Sequence, residues 1–127
     1  MNEIIEELLY RYRRPKNRGR LEGEGVVSGA AGNPGCGDVV RVYLKVEDGK
    51  VVDARFEGEG CTISQSTADL LMDKIKGKSL KEISSLGVDH IVEMIGEELV
   101  RMRPKCSTVA LSAVKTALRS IRDRSRA

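Results

Sequence analysis

A stretch of alternating apolar and polar residues, broken by one tight turn, constrains this chain more than any other segment. Val40, Val42, Leu44 and Val46 alternate with Arg41, Tyr43 and Lys45, so one face is buried and the other wet. Asp48-Gly49 follows, a pair that tolerates positive φ at both positions and so favours a two-residue hairpin. The return strand is read with Val52, Ala54 and Phe56 on one side and Asp53 and Arg55 on the other, running out at Gly58 and Gly60. Such a half-wet antiparallel sheet must be covered by helices on its apolar face.

The rest of the chain supplies those helices. Ile4, Ile5, Leu8, Leu9 and Tyr12 recur at helical spacing over residues 2–12, and a loop broken by Pro15, Gly19, Gly23 and Gly25 comes next. Val26 and Val27 suggest a short strand, and residues 29–37 a glycine-rich loop ending near Cys36. After Cys61 the pattern is helical: Ala68, Leu71, Met72 and Ile75 form one stripe, stopped by Gly77. Ser79 and Glu82 make a capping-box pattern for a short helix. Val88, Ile91, Val92, Ile95 and Leu99 mark another helix, and the last opens at Pro104, a residue suited to a first helical position. The fold class expected is α+β, with a small three-stranded antiparallel sheet and helices packed on one face. Residues 1–127 are expected to form a single domain.

No apolar run approaches a membrane span, and residues 1–12 are amphipathic with three glutamates rather than signal-like, so a cytoplasmic protein with reduced thiols is expected. Phe56 and three tyrosines are the only aromatic residues, which leaves few platforms for base stacking and argues against nucleic acid. Arg11, Arg13, Arg14, Lys16, Arg18 and Arg20 cluster after the first helix, where an acidic protein partner and a solvated surface are both open readings. His90 is the lone histidine, in a helix remote from the other motifs, and reads as a surface or packing residue; Met72, Met94 and Met102 read as core or near-core fillers.

Chemistry points to three cysteines: Cys36 in Gly-Cys-Gly-Asp, Cys61 after Gly60, and Cys106 after Pro104-Lys105. An odd count with no Cys-x-x-Cys is neither a disulfide framework nor a zinc knuckle. Cys61 and Cys106 stand at helix starts, where unpaired N–H groups and the helix dipole favour a thiolate. The start of one antiparallel strand lies beside the end of the next, so Cys36, Asp38 and Cys61 are expected to be neighbours. Cys106 is not placed by that argument. Three soft thiolates and a carboxylate would suit zinc, copper(I) or iron–sulfur species.

Gly35-Cys36-Gly37-Asp38-Val39, Ala54-Arg55-Phe56, Gly60-Cys61, Gly77-Lys78-Ser79-Leu80 and Lys105-Cys106-Ser107 together resemble the IscU/NifU-type iron–sulfur cluster assembly scaffolds. Pro15-Lys16-Asn17-Arg18-Gly19 is similar to the Asn-Pro-Arg-Asn-Val-Gly loop of that family. The resemblance implies a SufE/NifU-like fold and a non-enzymatic scaffold. Such a scaffold receives sulfur from a cysteine desulfurase, assembles a [2Fe–2S] cluster and hands it to acceptor apoproteins. It implies Cys36, Asp38, Cys61 and Cys106 as ligands to cluster or metal and Cys106 as persulfide acceptor; the glycines around the site leave it exposed enough for a homodimer around clusters. Lys105 stands where bacterial-type members carry histidine, and is expected beside the site, either solvated or paired with Asp38. Leu99-Val100-Arg101-Met102-Arg103 replaces the Leu-Pro-Pro-Val-Lys stretch gripped by a dedicated chaperone. Lys105 and the Gly60–Gln65 stretch also resemble SufU-type members, which bind Zn2+ and relay sulfur; a zinc-binding sulfur acceptor is therefore the alternative.

Overall fold

The structure is a computed structural model, and it describes residues 2–33 and 37–126. Among the described residues nine elements follow in chain order. Helix α1 spans Asn2–Arg13, strands β1, β2 and β3 span Val26–Asn33, Asp38–Glu47 and Lys50–Glu59, and helix α2 spans Thr62–Ile75. Helices α3 (Leu80–Ser84), α4 (Val88–Ile95), α5 (Glu97–Met102) and α6 (Pro104–Arg126) complete the fold. The sheet is antiparallel throughout, in the order β1-β2-β3, with α2 and α6 against its apolar face and α1 packed on α2. No helix among the described residues is long and apolar enough to cross a membrane.

The alternation in β2 holds as far as Leu44: Asp38, Val40, Val42 and Leu44 are buried and Val39 and Arg41 exposed, while Lys45 and Val46 are both half-buried. Asp48 and Gly49 both take positive φ, 52° and 75°, as the hairpin requires. The return strand differs from the simple alternation. A register shift between Lys45 and Val46 pairs Val46 with Val51, so Val51 is buried and Val52 exposed, whereas Ala54 and Phe56 point inward as expected. An inserted residue flips the face of every side chain on one side of it, and no local pattern announces where it falls.

Strand β1 is also longer than Val26 and Val27 alone. It continues through the glycine-rich stretch to Asn33, pairing Gly29 with Val42 and Ala31 with Val40. The reason lies on α6: a Cβ on Gly29 would come within 2.3 Å of the Ala117 nitrogen and 2.5 Å of the Ala113 carbonyl oxygen. Glycine marks a close helix–strand contact here, not a loop. The helical stretch from Val88 to Leu99 divides into α4 and α5 at Gly96, whose φ is 95°. The capping box of Ser79 and Glu82 forms in both directions, each bond at 3.1 Å.

Helix α2 runs through the middle, and every residue from Ser64 to Met72 is buried. Its polar residues therefore need partners inside the protein. Ser66 donates to the Leu8 carbonyl at 2.7 Å, tying α1 down. Asp69 accepts from Arg11 at 2.7 Å and from the Asn17 backbone N–H at 2.7 Å. Asp73 joins them, 2.9 Å from Arg11 and 3.1 Å from the Asn17 amide, with Lys76 donating to Asn17 Oδ1. The loop after α1 is thereby held on α2, and Asn17 and Gly19 also bond the backbone of Phe56 along the outer edge of β3. Part of the basic cluster is thus structural: Arg11 serves this network, and Arg20 pairs with Glu57 at 3.0 Å. Met72 is a core residue and Met94 packs against the core, whereas Met102 is 65% exposed, contrary to expectation, because α5 ends there on the surface.

Candidate metal centre

Three side chains converge at one end of the sheet. Asp38 is the first residue of β2 and falls on the same inward face as Val40 and Val42, so strand periodicity buries its carboxylate. Strand β3 ends opposite, with Glu59 paired to Val39, and the chain turns through Gly60 (φ 151°) to bring Cys61 over Asp38. A Cβ on Gly60 would lie 2.1 Å from Asp38 Oδ1, so glycine is required there by contact as well as by φ. Cys61 is the N-cap of α2, its Sγ accepting the Ser64 N–H at 3.5 Å. Cys106 arrives from the first turn of α6, buried to 4% exposure.

The ligand-type atoms of Asp38, Cys61 and Cys106 all lie within 4.8 Å of one another. Asp38 Oδ1 accepts from the Cys61 backbone N–H at 2.8 Å and from the Ser64 hydroxyl at 3.1 Å. Cys106 Sγ donates to Oδ2 at 2.9 Å. Cys36 lies outside the described residues, so its expected place beside Asp38 receives no geometry here. Lys105 is exposed and forms no ion pair among the described residues; Asp38 is satisfied by neutral donors, and the pairing with Lys105 does not occur. His90 lies in α4, where its Nδ1 accepts the Gly87 N–H at 3.1 Å.

These contacts correct one electrostatic expectation. Burial pushes the Cys106 thiol up, the hydrogen bond to Asp38 and the neighbouring Cys61 push it further, and its pKa reaches about 12. Without metal, Cys106 is therefore a thiol and not a poised thiolate. A helix N-terminus contributes a fraction of a charge, whereas an adjacent buried carboxylate contributes a whole one of the wrong sign. Asp38 shows the reciprocal effect. Burial raises its pKa, but the bonds from Cys106, the Cys61 amide and Ser64 outweigh burial and hold the carboxyl below its usual range.

Sequence reasoning passed over Ser64 and Gln65 as site residues. Gln65 Nε2 donates to Ser64 Oγ at 3.1 Å, while Gln65 Oε1 is buried without a partner. Their signal was present but ambiguous: two polar residues one turn inside a helix whose apolar stripe begins only at Ala68.

A family model described as the NifU-like N terminal domain matches residues 4–127, and the chain belongs to that family. It is 36% identical over 116 residues to the iron–sulfur cluster assembly scaffold protein IscU of Escherichia coli (strain K12), covering 89% of each chain. It is likewise 36% identical over 122 residues to the scaffold protein IscU of Thermotoga maritima, covering 84% of this chain and 85% of that one. Among solved structures, the SUF-system protein FiSufU of Fervidobacterium islandicum AW-1 superposes with a TM-score of 0.70 at 25% identity, covering 89% of this chain and 94% of that one. The three-stranded sheet with helices on one face is therefore the fold of the family as well as of this chain.

Proposed function

We propose that this protein is a cytoplasmic scaffold that assembles a [2Fe–2S] cluster from iron and sulfur and passes it to acceptor apoproteins. The observation that carries the reading is the convergence of Asp38, Cys61 and Cys106 within 4.8 Å, in a chain that belongs to a family whose relatives are named as scaffolds. Cys36, from the adjoining Gly-Cys-Gly-Asp element, is the fourth ligand in this reading. The donor set fits the cargo. Thiolates suit iron–sulfur species, and a carboxylate is a harder, more exchangeable ligand that suits a cluster meant to leave.

The sulfur donor in this reading is a cysteine desulfurase, and Cys106 is the acceptor. Its thiolate would attack the outer sulfur of the donor persulfide, forming a new S–S bond while the donor cysteine departs as thiolate. The proton on Cys106 must leave first, and an incoming metal ion competes for the same two atoms, Cys106 Sγ and Asp38 Oδ2. Metal loading and sulfur acceptance are thereby linked. A homodimer around clusters is part of the same reading, and Zn2+ is the ion expected to occupy the centre when no cluster is present.

Anaerobic purification and reconstitution test the proposal, with iron, zinc and acid-labile sulfide quantified per chain beside a visible absorption spectrum. Iron and sulfide in equal amounts with a [2Fe–2S] spectrum are expected. Stoichiometric zinc that resists reconstitution would replace this reading with that of a zinc-dependent sulfur acceptor.

A further inference from the structure

The two oxygens of Asp38 live in different surroundings. Oδ1 is gripped by protein that has no reason to leave: the Cys61 backbone N–H at 2.8 Å and the Ser64 hydroxyl at 3.1 Å. Gly60 packs against the same atom so closely that its missing Cβ would stand 2.1 Å from Oδ1 and 2.8 Å from Ser64 Oγ. Oδ2 instead faces the Cys106 thiol at 2.9 Å, a group that loses its proton when it binds metal.

The Ser64 hydroxyl has one hydrogen and two acceptors in reach, Asp38 Oδ1 at 3.1 Å and the Cys61 carbonyl at 3.0 Å. That carbonyl already receives the Gln65 backbone N–H at 3.2 Å. The carboxylate is the stronger acceptor, and charge-assisted bonds are roughly twice as strong as neutral ones. Gln65 Nε2 occupies a lone pair of the same hydroxyl at 3.1 Å, which turns its hydrogen away from Gln65. Gln65 is itself 5% exposed, and this bond is the one its side chain makes, since Oε1 has no partner.

Resting on the scaffold reading, we propose that Ser64 is a positioning residue for Asp38. With the Cys61 amide it holds Oδ1, so that the carboxylate meets a metal ion through Oδ2 alone, and Gln65 aims the serine. A carboxylate held by one oxygen presents the other, in a fixed direction, to a metal ion shared with Cys61 and Cys106. A carboxylate freed at Oδ1 can swing away from the metal.

The test is anaerobic titration of the full chain with Co2+ and Zn2+, followed by chelator-driven zinc release, for the parent, Ser64→Ala, Asp38→Ala and the double variant. Removing a partner that orients a metal ligand commonly changes affinity about 10- to 100-fold. Ser64→Ala is therefore expected to speed zinc release by about tenfold or more, as a carboxylate free to swing spends part of its time off the metal, and to shift the visible Co2+ ligand-field bands. In the Asp38→Ala background the same serine change is expected to add nothing, because its effect runs through the carboxylate. A Ser64→Ala protein with the parent's cobalt spectrum and release rate overturns the proposal. So does an acceleration of equal size without Asp38, which would mark a structural role. If Asp38→Ala itself leaves spectrum and release unchanged, the ligand reading falls and takes the proposal with it. Should Ser64→Ala fail to fold, Gln65→Leu carries the same test: faster release in the same direction supports the proposal, and unchanged release overturns it.

Discussion

Two carboxylates are buried against helix α2, and they are satisfied in opposite ways. Asp69, fully buried, meets the Arg11 guanidinium and the Asn17 amide, a resident cation and a resident donor that fasten α1 and its following loop. Asp38, 1% exposed, meets an amide, a hydroxyl and a thiol, and no cation among the described residues. A buried carboxylate with its own cation is finished; one met only by neutral donors, one of them a thiol that can give up its proton to a metal, is half of a site. The missing positive charge is what a metal ion would bring. That difference separates a structural cluster from a binding one more sharply than burial does, since both are equally hidden.

The comparison can be strained first at Cys106. With a pKa near 12 against an ordinary 9.0, its thiolate fraction at neutral pH should be about a thousandfold lower than that of an unperturbed thiol. Alkylation of Cys106 in the metal-free protein, followed at that residue by peptide mass spectrometry, should be correspondingly slow at neutral pH, and Asp38→Asn should speed it. Fast alkylation in the parent background would break the contrast. The same shift sets a stability window. The folded pKa is raised, so the contribution is complete below pH 9 and is lost as pH climbs from 9 toward about 12.

The structural cluster should respond more modestly but in stability. Arg11→Ala strips Asp69 of its cation and should cost about 3–5 kcal/mol in urea unfolding, as breaking a buried pair commonly does. Asp38→Ala should cost less than half as much, because the Ser64 hydroxyl has the Cys61 carbonyl to turn to. Equal losses would mean that Asp38 is a structural anchor of the same kind as Asp69. Smallest of all, Ser79→Ala removes a cap remote from both clusters and should lower stability by about 1 kcal/mol without altering metal binding. A change in zinc release in that variant would show that the centre merely reports global stability.

Reading the chain alone reached the sheet and its helical cover, and named Asp38, Cys61 and Cys106, three side chains that the structure brings together. It erred wherever a glycine or an extra residue served a partner distant in sequence. Gly29 looked like loop because the helix it admits, around Ala113 and Ala117, lies more than eighty residues away in sequence. Val52 looked buried because the shift opposite Val46 leaves no local mark. Cys106 looked like a thiolate because its helix start was visible and the carboxylate facing it was not.

Periodicity and turn chemistry are local, so the sequence by itself determined the β2–β3 hairpin and the cap at Ser79. Residue chemistry likewise singled out the cysteines and the aspartate. Only the tertiary structure decided that Cys106 joins Asp38 and Cys61, that its proton stays on sulfur, and that Ser64 stands behind one carboxylate oxygen. Those outcomes depend on distances between segments that only packing brings together. Hydrogen bonds and desolvation act over a few ångströms of space, whatever the separation along the chain.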